Sequence, residues 1–575
     1  MSEKILVTSA LPYANGPIHL GHLLECIQTD VWVRYLELTG RDVIYVWASD
    51  THGAPIEVNA RKAGMSPEDF VAHWRERQKQ DFEDFLIGFD IFHTTHSPEN
   101  RKWSEEIFRR LQEGGHIETR PLEQWYCEVD GRFLPDRFVK GICPNCGARD
   151  QYGDVCEACN KAYASTDLEK PYCSLCGNPP VRRTSDHLFF KLSDFRDFLA
   201  AYVDKEGRLA PAVRNSVKAW LDAGLLDWCI SRDGPYFGFE IPGHPGKYFY
   251  VWLDAPIGYI ASTEALLGAE RAVADYWDRQ APSRIVHFIG KDIVYFHALF
   301  WPAMLEASGL RVPDRIQVHG MVTLGGEKFS KSRGRMVTAR EYLDAGIDPE
   351  SLRWYYAANL GPEPHDLPLT KEELKNRVNA ELVKTLGNFV SRALRPIEKD
   401  FDGTLGTPSD DPAAREFWAK VIELSSEIRN GYEAIDFRAA TQALVQMGFE
   451  ANRFLQERAP WQRRKEGDAE GALQDLSLCA NVAWVIGTWM SPILPRAGAK
   501  LEAMLGGVRF DPARIAAGEP FPLAAGTRIG PVAHIAAPLQ DEQLDAIWPS
   551  EPSAPHAAER DEQRGVADAR PRGEG

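Results

Sequence analysis

Residues 4–22 of the chain read KILVTSALPYANGPIHLGH, and this stretch sets the class of fold. The apolar run over 4–9 predicts a short buried strand, and the turn from Pro12 to Pro17 is rich in proline, glycine and asparagine. A helix is expected to begin at about His19. A second buried strand is predicted over 42–48 (DVIYVWA), so the order strand, helix, strand indicates a parallel α/β sheet.

The strand pattern returns far downstream, at 284–289 (RIVHFI) and 315–319 (RIQVH). Residues 292–307 between these two strands have a helical pattern. The sheet is therefore expected to be interrupted by about 115–240 and then resumed.

From about residue 372 apolar residues recur at helical spacing and strand patterns are scarce, which predicts an all-helical domain. The last residues are rich in proline, alanine, arginine and glutamate, so they are expected to be disordered. We therefore divide the chain into a sheet domain in two halves (1–115 and 241–325), an insertion (116–240), a linking region (326–371), a helical domain (372–545) and a tail (546–575).

The composition is that of a globular protein, with 575 residues, 44% hydrophobic and 26% charged. A formal net charge of -17 argues against a protein held to nucleic acid by bulk charge, although a local basic patch would suffice for RNA. The first ten residues do not resemble a signal peptide. The apolar segment 476–495 contains Asn481, Thr488 and Pro492, which favours a buried bundle helix over a membrane span. We expect a cytoplasmic protein.

The first motif is His19-Leu-Gly-His22. Two histidines three residues apart share one face of a helix. At a helix start they would lie beside backbone N–H groups and the positive end of the dipole, where phosphates bind. Gly21 has no side chain, so a purine can approach the backbone there. The alternative is a pair of ordinary polar histidines on a surface turn.

The second motif is the loop Gly325–Gly334 (GGEKFSKSRG), which contains Lys328 and Lys331. Glycines at both ends favour mobility, and the cations can stabilise charge on a leaving pyrophosphate. The alternative is a solvated basic loop.

A third pattern, Cys143-x2-Cys146-x9-Cys156-x2-Cys159, is typical of a structural zinc site with four thiolates. Clustered Cys-x-x-Cys pairs in a large chain favour metal over disulfides. Cys173-x2-Cys176 forms a further pair that needs two more ligands. The candidates are Cys127 and Asp130.

The first two motifs resemble the paired HIGH and KMSKS signatures of class I aminoacyl-tRNA synthetases. The segments 10–22, 133–138 (FLPDRF), 248–256 (YFYVWLDAP) and 290–297 (GKDIVYFH) further resemble the methionyl-tRNA synthetase family. The resemblance covers about residues 4–545, and Phe329 stands where the family more often has methionine. It implies a Rossmann-like catalytic domain split by a zinc-knuckle insertion, followed by an all-α bundle that binds the anticodon.

The implied activity is that of a methionine–tRNA ligase, which forms methionyl-adenylate from methionine and ATP and then charges tRNA(Met). The resemblance assigns His19, His22, Lys331 and, in support, Lys328 to the ATP phosphates. It assigns Gly21, Asp292 and His319 to adenosine, and Mg²⁺ would accompany the ATP. Positioning and charge stabilisation would carry most of the rate.

The resemblance also assigns a methionine pocket whose aromatic and aliphatic walls suit a polarizable thioether. Asp50 would meet the α-ammonium, and Tyr259 and His297 would supply polar contacts near the sulfur. The remaining residues of the pocket are Leu11, Tyr13, Trp252, Ala255, Pro256 and Ile293.

In the helical domain the resemblance assigns anticodon recognition to Asn388, Arg392 and Trp461. Asn388 and Arg392 lie opposite the apolar stripe of their helix and should face outward. Trp461 follows a proline and suits stacking on an unstacked base. Family members with two zinc ions have a second knuckle at Cys127, but whether Asp130 completes such a site here stays open.

Two alternatives remain at this point. One is a class I synthetase for another apolar amino acid, such as leucine or valine, although those usually carry a larger editing insertion. The other is a tRNA-binding paralogue without activity, which should have lost one of the phosphate-binding histidines or lysines. We further expect a monomer, since no recognisable dimerisation domain follows the helical one.

Overall fold

The computed structural model describes residues 3–134, 138–153, 156, 158–159, 163, 165–324, 327–328, 337–516 and 521–548. Strands and helices alternate in the first part of the chain, as the sequence predicts. These elements are β1 (Lys4–Ser9), α1 (Leu20–Leu38), β2 (Asp42–Ser49), α2 (Ala54–Ala63), α3 (Pro67–Asp84), β3 (Ile91–Thr94) and α4 (Pro98–Glu113).

An insertion built largely of antiparallel strands follows. Its longest pair runs from Ile117 opposite Phe190 to Tyr126 opposite Val181. The elements are β4 (Ile117–Cys127), β5 (Arg132–Phe133), β6 (Val139–Ile142), β7 (Gln151–Tyr152), β8 (Glu169–Cys173), β9 (Val181–Phe190), α5 (Arg196–Asp204), α6 (Pro211–Ala223) and β10 (Trp228–Cys229).

The chain then returns to the first sheet. The elements of this part are β11 (Ser231–Asp233), β12 (Lys247–Phe249), α7 (Val251–Leu267), α8 (Ala269–Ala272), β13 (Ser283–Gly290), α9 (Trp301–Ala307), β14 (Arg315–His319), β15 (Val322–Leu324), β16 (Glu327–Lys328), α10 (Ala339–Asp344), α11 (Pro349–Asn359) and β17 (Leu367–Leu369).

The central sheet has the order β14-β13-β1-β2-β3, and every neighbouring pair is parallel. The predicted parallel α/β sheet is therefore confirmed. Leu6 and Val7 on β1 are both fully buried, and they belong to hydrophobic clusters on opposite faces of the sheet. Burial on both faces explains why the strand is continuously apolar.

The helix predicted over 292–307 is irregular. A 3₁₀ turn at Lys291–Ile293 is followed by a π-helical segment at Phe296–Phe300 and then by α9. Pro302 lies in the first turn of α9 and lacks an N–H, so the regular backbone bond to the turn before it cannot form.

Helices make up most of the remaining described chain. They are α12 (Lys371–Arg377), the π-helical segment Val378–Gly387, α13 (Asn388–Asp400), α14 (Pro412–Ala434), α15 (Phe437–Arg458), α16 (Pro460–Lys465), α17 (Ala469–Met490), α18 (Pro495–Met504), α19 (Pro512–Ala516) and α20 (Asp541–Ile547).

The apolar segment at 476–495 is largely the buried helix α17, as predicted. None of the helices in the described part of the chain combines the length and the apolar character needed to cross a membrane. The expected tail overlaps α20 at 546–547, and residues 549–575 lie outside the described residues.

Candidate active site, metal clusters and nucleic-acid surface

A cleft of about 1250 Å³ opens at the carboxyl ends of β1, β2, β13 and β14, where ligands of open parallel sheets bind. It is lined by every residue predicted to bind methionine and by every residue predicted to bind ATP outside the loop 325–334. These residues are Leu11, Tyr13, His19, Gly21, His22, Asp50, Trp252, Ala255, Pro256, Tyr259, Asp292, Ile293, His297 and His319.

The first turn of α1 is capped by the two histidines of the first motif. His19 Nδ1 accepts from the Gly21 N–H at 3.1 Å, and His22 Nδ1 lies 3.3 Å from the His19 N–H. Two of the backbone donors expected to face a ligand are therefore taken by the imidazoles. The rings stack with centroids 3.5 Å apart. A Cβ on Gly21 would lie 3.0 Å from the His19 ring, so glycine also makes room for the cap.

The start of α1 is joined by backbone hydrogen bonds to the chain that follows the lysine loop. The Leu20 N–H donates to the Val337 carbonyl at 3.1 Å, and the Ala339 N–H donates to the Ile18 carbonyl at 2.8 Å. The chain downstream of the second motif is thus anchored to the start of α1. Lys331 lies outside the described residues, and only the backbone of Lys328, in β16, is described.

A buried acid supports the predicted adenosine contact at His319. Glu25 Oε2 lies 3.2 Å from His319 Nε2, and the Gly320 carbonyl lies 2.7 Å from Nδ1. Burial disfavours protonation of His319, but the bond to Glu25 outweighs it and raises the pKa of His319. Burial has the opposite effect on the carboxyl group and raises the pKa of Glu25. Asp292, which is also predicted to contact adenosine, packs closely against Gly290, since a Cβ on that glycine would lie 2.5 Å from the Asp292 side chain.

The polar end of the predicted methionine pocket is a hydrogen-bonded pair. Tyr259 Oη lies 2.9 Å from His297 Nε2, and His297 Nδ1 lies 3.2 Å from the Ile293 carbonyl. Burial lowers the pKa of His297 to about 4, so its imidazole is neutral. Because a carbonyl can only accept, the proton is on Nδ1, and Nε2 accepts from the tyrosine hydroxyl.

The apolar wall of the pocket comes from the first turns of α7. The Trp252 indole stacks on Phe296 at 3.9 Å with only 3° between the planes. A Cβ on Gly258 would lie 2.9 Å from Leu11, so a glycine at this position lets α7 pack closely against the end of β1. Aromatic and aliphatic surfaces thus surround one side of the cleft.

Asp50, at the end of β2, presents a buried carboxylate to the same cleft. Its Oδ1 atom is buried and has no hydrogen-bond partner within the protein. Burial and the nearby Asp254 carboxylate raise the pKa of Asp50 well above its usual range. Since an unpaired buried carboxylate is costly, a cationic ligand group at this position would be stabilising.

The first predicted set of metal ligands is assembled. The Sγ atoms of Cys143 and Cys159 are 3.9 Å apart, those of Cys146 and Cys156 are 3.6 Å apart, and all four lie within 4.8 Å of one another. Tetrahedral zinc with bonds of about 2.3 Å needs sulfur atoms about 3.8 Å apart. The four thiols therefore fit zinc.

The second set, Cys127, Asp130, Cys173 and Cys176, is also assembled. Asp130 Oδ2 lies 3.1 Å from the Sγ atoms of both Cys127 and Cys173, and the Sγ atoms of Cys127 and Cys176 are 3.4 Å apart. One carboxylate oxygen thus occupies the corner where a fourth thiolate would stand. Three thiolates and a carboxylate are a chemically sound donor set for zinc.

On the helical domain Asn388 is exposed and Trp461 is 39% exposed. Arg392 is half-buried against a neighbouring helix. Its guanidinium donates to Asn452 Oδ1 at 3.3 Å and to Gln456 Oε1 at 2.8 Å, both on α15, and it lies over the Trp461 ring. These amides fix the orientation of the cation beside the indole ring.

Sequence reasoning missed several residues of these sites. Glu25 could have been found, because it lies one helical turn after His22 on the same face of α1. His52 and Asp254 lie close in sequence to predicted residues; both are buried, and His52 also lines the cleft. Asn452 and Gln456 carried no distinguishing pattern, because they act only through contact with another helix.

Two family models match the chain. The model for class I tRNA synthetases (M) matches residues 5–394, and the model for the anticodon binding domain of methionyl tRNA ligase matches residues 407–548.

Curated relatives are similar over almost the whole chain. A methionine–tRNA ligase of Myxococcus xanthus is 49% identical over 574 residues, which cover 98% of this chain and 81% of the relative. A methionine–tRNA ligase of Nitrosomonas europaea is 45% identical over 563 residues, with 95% and 79% covered. Among solved structures, the Mycobacterium tuberculosis methionyl-tRNA synthetase in complex with methionyl-adenylate is similar with a TM-score of 0.76 and 27% identity. This match covers 92% of this chain and 99% of the other.

Proposed function

The chain belongs to the class I methionine–tRNA ligase family, and we propose that the cleft at the end of its parallel sheet is where it performs this reaction. The observation that carries the proposal is the convergence of three groups on one cleft: the capped helix start at His19, the unpaired Oδ1 atom of Asp50, and the Tyr259–His297 pair. These groups match the phosphates, the α-ammonium and the thioether of the two substrates.

The reaction has two steps. A carboxylate oxygen of methionine attacks the α-phosphorus of ATP, and pyrophosphate leaves as methionyl-adenylate forms. A hydroxyl of the 3′-terminal adenosine of tRNA(Met) then attacks the methionyl carbonyl carbon, and AMP leaves. Both steps need alignment and stabilisation of phosphate charge more than covalent catalysis by side chains.

We assign the ATP site to the two motifs. His19 and His22 would bind phosphate at the start of α1, and Lys331, assisted by Lys328, would stabilise charge on the leaving pyrophosphate. Gly21, Asp292 and His319 would contact adenosine. Mg²⁺ would enter with ATP and neutralise part of the phosphate charge.

We assign the methionine site to the opposite part of the cleft. Asp50 would pair with the α-ammonium, which would supply the partner that its buried Oδ1 lacks. The neutral His297 and Tyr259 would lie near the thioether sulfur. The remaining walls would be formed by Leu11, Tyr13, Trp252, Ala255, Pro256 and Ile293.

We assign tRNA binding to the insertion and the helical domain. The insertion would guide the acceptor end, and Asn388, Arg392 and Trp461 would bind the anticodon. One zinc would be held by Cys143, Cys146, Cys156 and Cys159 and a second by Cys127, Asp130, Cys173 and Cys176, both with a structural role.

We further propose that the protein acts as a monomer in the cytoplasm. Sedimentation should give a mass near 64.6 kDa, and a mass near twice that value would overturn the monomer.

Exchange of labelled pyrophosphate into ATP tests the main proposal. With Mg²⁺, exchange should require methionine, and valine or leucine should not replace it. No exchange with methionine would overturn the proposed function. Lys331→Ala should slow exchange strongly, whereas an unchanged rate would exclude the loop from the chemistry.

A further inference from the structure

A chain of three side chains, two of them buried, connects the two sides of the methionine pocket. The carboxylate of Asp254 accepts a hydrogen bond from His52 Nδ1. His52 Nε2 in turn lies 2.9 Å from Nδ1 of His96. The His52 and Asp254 side chains are 0% and 1% exposed, so this bond is shielded from water. Neither residue is one of the predicted ligand contacts.

His52 and Asp254 each lie two residues after a residue predicted to bind methionine. His52 follows Asp50 by two residues at the end of β2, and Asp254 follows Trp252 by two residues in α7. The bond therefore joins the segment that carries the ammonium-binding carboxylate to the segment that carries the thioether wall.

Both segments are also fixed to the connection between β3 and α4. The Thr51 N–H donates to Thr95 Oγ1 at 3.0 Å. Asn100 Nδ2 donates to the Asp254 carbonyl at 3.2 Å and to the Thr95 carbonyl at 2.9 Å. These hydrogen bonds form one connected polar network, which we call the frame: His52, Asp254, Thr51, Thr95 and Asn100. Such a network restricts the relative motion of its members.

We propose that His52 and Asp254 are positioning residues that set the distance between Asp50 and the Trp252 wall, so that the pocket is complementary to an α-amino acid that contacts both. This inference rests on the proposed binding of methionine in the cleft. Displacement of Asp50 relative to the Trp252 wall would weaken binding of a ligand that contacts both, so these residues would act on the affinity for methionine rather than for ATP.

The test uses His52→Leu, which removes the bond, and His52→Asn, whose amide can donate from the position of Nδ1. In pyrophosphate exchange, His52→Leu should raise the KM for methionine by about tenfold or more, which corresponds to about 1.4 kcal/mol. The KM for ATP and kcat should change by less than about threefold, since the frame does not contact the ATP site. His52→Asn should restore most of the affinity. If His52→Leu does not fold, Asp254→Leu serves in its place, because it leaves a histidine that can be neutral.

A methionine analogue without the α-ammonium provides a sharper readout. This acid reaches only the thioether wall, so its inhibition constant should change by less than about threefold in His52→Leu, while methionine weakens by about tenfold. Equal weakening of both ligands would overturn the proposal.

Glu264→Gln is the matched control. Glu264 is also on α7 and also links it to α4, through Lys102 Nζ at 2.9 Å and Trp103 Nε1 at 2.7 Å, but it does not line the cleft. This variant should keep the wild-type KM for methionine even if its melting temperature falls. If His52→Leu behaves like Glu264→Gln, the pair is structural only and the inference fails. If the wild-type chain shows no methionine-dependent exchange, the proposed function fails as well.

Discussion

The guanidinium carbon of Arg392 lies 5.4 Å from the centroid of the Trp461 indole. The arginine belongs to α13 and the tryptophan to α16, and α15 supplies Asn452 and Gln456 as acceptors for the same guanidinium. A cation and an aromatic surface are thus held side by side at the edge of the bundle. An unstacked base can stack on such a pair and form hydrogen bonds with it at the same time.

We predict that Arg392→Ala and Trp461→Ala each weaken tRNA charging without affecting methionine activation. Loss of base stacking costs about 1–3 kcal/mol, so the KM for tRNA should rise by about 5- to 150-fold. Pyrophosphate exchange needs no tRNA and should stay at the wild-type rate.

Lys420→Ala is the control for this prediction. Lys420 on α14 lies in the same helical domain, its side chain is 39% exposed, and it belongs to none of the proposed sites. Its removal should leave the KM for tRNA unchanged. An equal effect of Lys420→Ala and Trp461→Ala would contradict an anticodon role for Trp461.

The second metal cluster leads to a prediction about stoichiometry. We expect about two zinc ions per chain, from two sets of four ligands. Asp130→Ala should retain about one, because three thiolates without the carboxylate leave the site open, and Asp130→Cys should restore about two. Elemental analysis of purified protein measures this.

Cys229→Ser is the control for the metal count. Cys229 belongs to neither cluster, so this variant should bind as much zinc as the wild type. One zinc per chain in the wild type, unaffected by Asp130→Ala, would show that the second cluster does not bind zinc.

The sequence-based predictions succeeded where a pattern lies within one segment. The strand, turn and helix over 4–38 were readable because an apolar run, a proline- and glycine-rich turn and a histidine motif follow one another directly. The fixed spacing of Cys143, Cys146, Cys156 and Cys159 likewise indicated a metal site, because the ligand geometry of zinc restricts that spacing.

The same approach failed where contacts join distant segments. The helical pattern around Arg392 did not indicate its partners, which are 60 and 64 residues away on α15. The His52–Asp254 bond spans 202 residues. Periodicity specifies which face of an element is apolar, but it does not specify which polar groups meet when two elements pack.

The buried His297 predicts a pH dependence of stability. Burial lowers its pKa to about 4, below the ordinary value of about 6.5. Because the folded-state pKa is depressed, its contribution to stability is fully present above about pH 6.5 and is lost as the pH falls toward 4. Over this range the free energy of unfolding should fall by up to about 1.4 kcal/mol per pH unit because of this group.

His297→Gln tests this expectation. Urea unfolding at about pH 7 and about pH 5.5 should show a smaller loss of stability in the variant than in the wild type. An identical loss in the two proteins would mean that His297 is protonated in the folded state at mild acidity.

The last prediction concerns a buried ion pair between α1 and α11, whose arginine also contacts the helical domain. Arg353 Nη2 lies 2.5 Å from Asp30 Oδ2, and both side chains are 0% exposed. Arg353 Nε also donates to the Ile493 carbonyl at 2.7 Å, beyond the end of α17. Arg353→Met would leave a buried carboxylate and an unpaired carbonyl, so it should lower the free energy of unfolding by about 3–5 kcal/mol.

Arg34→Met is the matched comparison, because Arg34 Nε bonds the same Asp30 oxygen at 2.8 Å but its side chain is 29% exposed. It should cost only about 1 kcal/mol or less, because water replaces an exposed partner. Urea unfolding followed by tryptophan fluorescence distinguishes the two, and equal losses would show that the buried position of Arg353 gives it no special role in joining the domains.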